Sequence, residues 1–77
     1  MNKIKEFDRV ILATDLPESG LKNGDIGNVV MVYNDGEGYE VEFMTFDGET
    51  VAVETLLANQ VRNISFHEIP HVREMIG

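Results

Sequence analysis

Tyr39, Val41 and Phe43 alternate with Glu40, Glu42 and Met44, so residues 39–45 read as a strand with one apolar face and one acidic face. Residues 49–55 repeat the pattern, with Val51 and Val53 on one side. The connection between these strands decides whether their apolar faces agree. A two-residue loop, Asp47-Gly48, pairs Glu42 with Val53 and Met44 with Val51, which mixes acids with apolar side chains. A three-residue loop, Phe46-Asp47-Gly48 with Gly48 left-handed, pairs Phe43 with Val51 and Val41 with Val53. The second register gives one coherent core face. It also sets Glu40 opposite Glu54, so Glu40, Glu42 and Glu54 are expected together on the outer face of the hairpin.

Upstream, Val10, Ile11 and Leu12 mark a first strand at residues 8–14, which Asp15-Leu16-Pro17 ends. Pro17-Glu18-Ser19-Gly20 follows as a turn. Leu21 is the one large apolar residue between Leu16 and Ile26, so these two leucines are expected to pin a long polar loop to the core. Residues 26–33 are continuously apolar from Val29 to Tyr33, which predicts a second strand buried on much of both faces. Gly27 inside it predicts a bulge or a sharp bend. Asn34-Asp35-Gly36-Glu37-Gly38 has the composition of a hairpin turn. Residues 56–60 suit a single turn of 3₁₀-helix, and residues 61–64 a short fifth strand. This order predicts an all-β fold, a small five-stranded SH3-like barrel over residues 1–64.

Residues 65–77 form a tail with a different pattern. Ser65-Phe66-His67-Glu68 fits a capping box, but Pro70 interrupts a helix starting there. Pro70 suits a first helical position instead. Ile69, Val72, Met75 and Ile76 then make one apolar stripe, which predicts a short amphipathic C-terminal helix. So short a helix is unstable alone and needs the barrel, a second copy or another protein to dock on.

Leu16-Pro17-Glu18-Ser19-Gly20-Leu21-Lys22-Asn23-Gly24-Asp25-Ile26-Gly27, with Val29-Val30 and Tyr39-Glu40-Val41-Glu42-Phe43, closely resembles a family of short bacterial proteins classed as a domain of unknown function. The resemblance covers about residues 7–64 and implies an SH3-like barrel, and it carries no established catalytic residues over to this chain. Members are similar to small partner proteins encoded beside putative toxins, which implies an antitoxin or immunity role. A looser likeness, in fold only, is to the E subunit of photosystem I, a small docking barrel.

Charge narrows the partners. Residues 25–60 hold eight acids (Asp25, Asp35, Glu37, Glu40, Glu42, Asp47, Glu49 and Glu54) and no Lys or Arg, while six acids and six bases cancel in the two ends. The whole net charge of −8 therefore falls in the middle of the chain, which repels phosphate backbones and favours a basic protein. The absence of cysteine excludes disulfides and thiolate metal sites, and fits a reducing cytoplasm. No apolar run approaches the length that spans a membrane, and residues 1–7 do not read as a secretory leader.

The candidate chemistry is sparse. His67-Glu68-Ile69-Pro70-His71 matches the zinc-protease pattern, but Pro70 sits where that pattern needs an unbroken helix and no third ligand follows. The two histidines read as surface residues. Gly24-Asp25-Ile26-Gly27 lacks the lysine and following helix of a phosphate loop. Tyr33, Tyr39, Phe43 and Phe46 are needed mainly for the core rather than for a peptide groove. With no cofactor, metal or catalytic residue indicated, the expectation is a non-enzymatic protein-binding module. Glu40, Glu42 and Glu54, with Ile69, Val72, Met75 and Ile76, are its candidate binding residues. The alternative is a homodimer joined through the tail helix.

Overall fold

The computed structural model describes residues 3–75. Five strands, β1 (Arg9–Leu12), β2 (Ile26–Tyr33), β3 (Gly38–Met44), β4 (Thr50–Leu57) and β5 (Val61–Asn63), form one antiparallel sheet in the order β4-β3-β2-β1-β5. Single 3₁₀ turns lie at Pro17–Ser19 and Ala58–Gln60. The all-β expectation holds, but β4 and β5 remain the two edges of an open sheet, so the predicted barrel closure is not made.

The core draws on every strand. Val10, Leu12, Val29, Tyr39, Val41, Phe43, Leu56 and Val61 pack together with Leu21 from the first loop. Leu16 and Leu21 bridge each other through paired backbone hydrogen bonds, and Leu16 packs against the cluster. The two leucines therefore anchor the loop as their spacing predicts.

Two bulges rearrange the rest. The β3–β4 turn is the three-residue loop, with Thr45 N–H donating to Glu49 C=O and Gly48 at φ +88°. Met44 pairs with Thr50 in keeping with that loop, but Phe43 pairs with Ala52, so Val51 is an extra residue in β4. Beyond it Glu42 faces Val53, Val41 faces Glu54 and Glu40 faces Thr55. This is the pairing of the shorter loop. A bulge reconciles the turn with the body of the hairpin by letting one residue drop out of the ladder. It also turns Glu54 away from Glu40, because a one-residue slip moves a side chain to the other face.

The second bulge lies in β2. Val29 pairs with Val41 and Met31 with Glu40, leaving Val30 as the extra residue. The predicted bulge at Gly27 is therefore three residues out of place. Gly27 instead lies where a Cβ would come within 2.6 Å of Val41 Cγ1 and 2.9 Å of the Phe43 ring, so it is required by close packing. Nor is β2 buried on both faces. Val29 is buried, whereas Ile26, Val30, Met31 and Tyr33 are exposed. Among the aromatics, Tyr39 and Phe43 enter the core while Tyr33 and Phe46 stay outside.

Among the described residues the C-terminal helix is absent. Residues 65–75 contain neither helix nor strand. Pro70 disfavours helical backbone at Ile69, and the few residues after it cannot offset the cost of a helix nucleus. Ile76 lies outside the described residues. Among those described, no helix is long and apolar enough to cross a membrane.

Candidate functional site

Paired residues in an antiparallel sheet share a face, so the register maps the outer surface directly. One row across the sheet runs Arg9, Asn28, Glu42, Val53; the next runs Met31, Glu40, Thr55; a third runs Tyr33, Gly38, Leu57. Val53 is 50% exposed, Met31 46% and Leu57 64%, so Glu40 and Glu42 stand among apolar side chains open to solvent. Both carboxylates are held in place by neighbours. The Thr55 hydroxyl and the Tyr33 hydroxyl donate to Glu40, and the Thr50 hydroxyl donates to Glu42 at 2.8 Å. Hydroxyl donors fix these acids without neutralising them, which leaves their charge to a partner.

Glu54 is not part of this surface. It lies on the Val41 side of the sheet, where the Ser19 hydroxyl donates to its carboxylate and ties β4 to the first loop. The expected group of three acids is thus a pair on one face and a single residue on the other. The middle of the chain is also less uniformly charged in space than in sequence. Lys3 pairs with Asp35 at 2.7 Å and Arg73 with Asp25 at 2.6 Å, so two of its acids are matched by cations from the ends.

The tail residues do not form a stripe. Ile69 is 90% exposed and Val72 66%, while Met75 approaches Gly20. Two arginines hold the segment. Arg62 donates through both terminal nitrogens to the Glu68 carboxylate, which also accepts from the Ser65 N–H at 2.7 Å. The capping-box pattern therefore produces its characteristic reach of Glu to the preceding N–H, but closes a turn instead of a helix. Farther on, Arg73 Nε donates to Asp25 Oδ1 at 3.0 Å, and Nη2 donates to Asp25 Oδ2 and to the Gly20 carbonyl. Nothing in the sequence marks this pair, because 48 residues separate its members.

The titration of these acids follows from their contacts. Burial pushes the Asp25 carboxyl up, but the Arg73 hydrogen bonds, the Lys22 amide and the nearby cations together hold it below its usual range. Hydrogen bonds from Arg62 and from the Ser65 amide hold Glu68 down at about 2, against 4.5 for an ordinary glutamate. Because the folded value is the lower one, the Glu68 contribution to the turn is complete above about pH 4.5 and is lost as pH falls through about 2. A carboxyl-carbon NMR titration will give Glu68 a midpoint near 2, and a midpoint near 4.5 would mean that the turn is open in solution.

Two shallow depressions flank the loop. One of about 260 Å³ is lined by Asp15, Pro17, Gly20, Leu21 and Lys22. The other, of about 290 Å³, is lined by Lys22, Asn23, Gly24, Asp25, His71 and Arg73. Neither brings together a nucleophile, base and acid, and among the described residues no group of three or more His, Asp or Glu is placed to hold a metal. His67 and His71 are exposed.

The chain belongs to the family described as Domain of unknown function (DUF4926), which matches residues 6–63. The match spans all five strands and the first loop, and stops before the tail. No curated protein and no solved structure matches the chain.

Proposed function

We propose that this member of the family is a non-enzymatic binding module whose outer sheet face docks a basic protein. The carrying observation is the surface around Glu40 and Glu42, where two ordered carboxylates stand among exposed Met31, Tyr33, Val53 and Leu57. Exposed apolar area gains free energy when covered, and the acids select a partner that brings Lys or Arg to the rim. Residues 25–60 supply no cation, and the register brings one from outside that span, Arg9, into the row of Glu42 two strands away. In this reading the chain is a cytoplasmic, antitoxin- or immunity-like partner of a co-encoded basic protein, and its strand order is a partly open form of the SH3-like plan. Nucleic acid and membrane surfaces are disfavoured by the same charge.

Co-expression with the product of the adjacent gene tests the proposal. A complex that weakens as salt is raised supports it, since exposed charges are screened. Failure of the two proteins to associate at low salt would overturn it.

Self-association is the second reading, and one feature favours it. Among the described residues the outer edge of β4, Thr50–Leu57, pairs with no strand, and an open edge is a template for a second strand. The route through paired tail helices falls with the helix. Sedimentation separates the readings: strand pairing gives a dimer that persists at high salt, whereas the docking module is a monomer until its partner is added.

A further inference from the structure

We infer that the first loop carries an arginine-binding site for a partner's basic segment, occupied here by the chain's own Arg73. The inference rests on the reading of a basic protein partner and adds the side chain it presents and the place that receives it. The geometry is that of guanidinium recognition. Two adjacent nitrogens of Arg73, Nε and Nη2, donate to the two oxygens of Asp25, and Nη2 also donates to the Gly20 carbonyl at 2.9 Å. A planar fork satisfies these three acceptors together, and a lysine ammonium cannot reproduce it.

The receiving side is built without the tail. The Lys22 N–H donates to Asp25 Oδ2 at 2.8 Å, and the Asp25 N–H returns to the Lys22 carbonyl. The Leu12 N–H donates to the Asp25 carbonyl, and the Gly24 N–H donates back to the Leu12 carbonyl, which ties the loop to β1. The Asn23 side chain and amide are bound to the Ala13 carbonyl and to Asp15. The Gly20 carbonyl follows the 3₁₀ turn, closed by the Gly20 N–H on the Pro17 carbonyl.

The occupant is held far less firmly. Around Arg73 the tail has no regular structure, Ile69 and Val72 bury little, and the segment meets the loop through Arg73 and Met75. A segment with so few buried contacts opens at low cost. The family match draws the same line, since it includes Gly20 and Asp25 and ends ten residues before Arg73. The receiving residues therefore lie inside the matched region, while the occupant comes from outside it. Asp25 directly precedes Ile26, the first residue of β2, so an arginine bound there sits at the start of a strand that forms the docking face. Arg73 acts as an internal competitor that a partner's arginine must displace.

Amide NMR of the full chain tests this with arginine amide as the probe. In Arg73→Ala, arginine amide will give saturable shifts at the Lys22 and Asp25 amides. In the native chain the same shifts will need roughly fivefold more probe, because only the open fraction of the site can bind. Arg73→Lys, which keeps the charge but not the fork, will fall between the two. Lysine amide will bind more weakly than arginine amide, and Asp25→Asn will abolish the response in the Arg73→Ala background. Equal affinity in the native chain and Arg73→Ala, no saturable shift in either, or no preference for arginine would each overturn the inference. Should any of these occur while the salt-sensitive complex with the adjacent gene's product still forms, the docking module stands and the arginine site alone falls.

Discussion

Phe43→Ala will remove about 3–5 kcal/mol of stability. Phe43 is only 2% exposed, and it lies on β3 between Val41 and the bulged end of the hairpin. Its ring fills the space that Gly27 leaves open on β2, with ring carbons 2.9 and 3.0 Å from where a Cβ would stand. Truncation leaves a cavity that β2 cannot close, because it is fixed by ladder hydrogen bonds to β1 on one side and β3 on the other. A domain of this size has roughly 4–11 kcal/mol to lose, so the substitution takes a large part of the total. A urea titration reads it directly: the midpoint falls steeply while the slope stays the same. A loss under about 1 kcal/mol would place the ring outside a packed core.

Gly27→Ala will cost about 1–3 kcal/mol, although it adds a single methyl group and improves no polar contact. The new Cβ meets Val41 Cγ1 at 2.6 Å and the Phe43 ring at 2.9 Å. Neither neighbour is the free end of a flexible chain, since Val41 is fully buried and Phe43 nearly so. The cost must therefore be met by moving a strand or forcing a side chain off its rotamer. Val41→Ala removes the nearer obstacle. The double variant Gly27→Ala/Val41→Ala will accordingly lose less stability than the two single losses added together. Additivity within about 0.5 kcal/mol would show that Gly27 and Val41 do not share that space.

Both effects depend on a core whose main lines are readable in the sequence. Period-two alternation in Tyr39-Glu40-Val41-Glu42-Phe43 locates β3 and assigns its buried face correctly. Turn chemistry places the three-residue loop at Phe46-Asp47-Gly48 and the turn after Leu16-Pro17, because these preferences are local. What local chemistry does not decide is where a strand slips by one residue. Val51 and Val53 alternate equally well in either register, and the bulge at Val51 follows from packing against β3 rather than from the residue itself. That one slip is why Glu54 ends beside Ser19 on the core side and not beside Glu40. The bulge at Val30 exposes Met31 on an apolar strand for the same reason.

The tail shows a different limit. Ile69, Val72 and Met75 have helical spacing, but spacing is a weak guide in a segment too short to pay for nucleation and interrupted by proline. Its position is set by two ion pairs instead. The turn that positions Glu68 has a sequence signal in the capping box, whereas Arg73–Asp25 joins distant parts of the chain and leaves none. The candidate surface was legible in the same partial way. Glu40 and Glu42 are readable from alternation, while their apolar neighbours Met31, Val53 and Leu57 become visible only through the register.

The docking face is tested most directly by titrating the product of the adjacent gene into the native chain, into Glu40→Lys/Glu42→Lys, and into Glu54→Lys, with binding heat as the readout. Reversing the two outer charges should weaken binding by about tenfold or more, through repulsion of a basic partner across the sheet face. Glu54→Lys should weaken it much less, because that residue lies on the other side of the sheet with Ser19. Unchanged affinity in the double variant, or a larger loss from Glu54→Lys, would contradict the assignment of the outer sheet face as the docking surface.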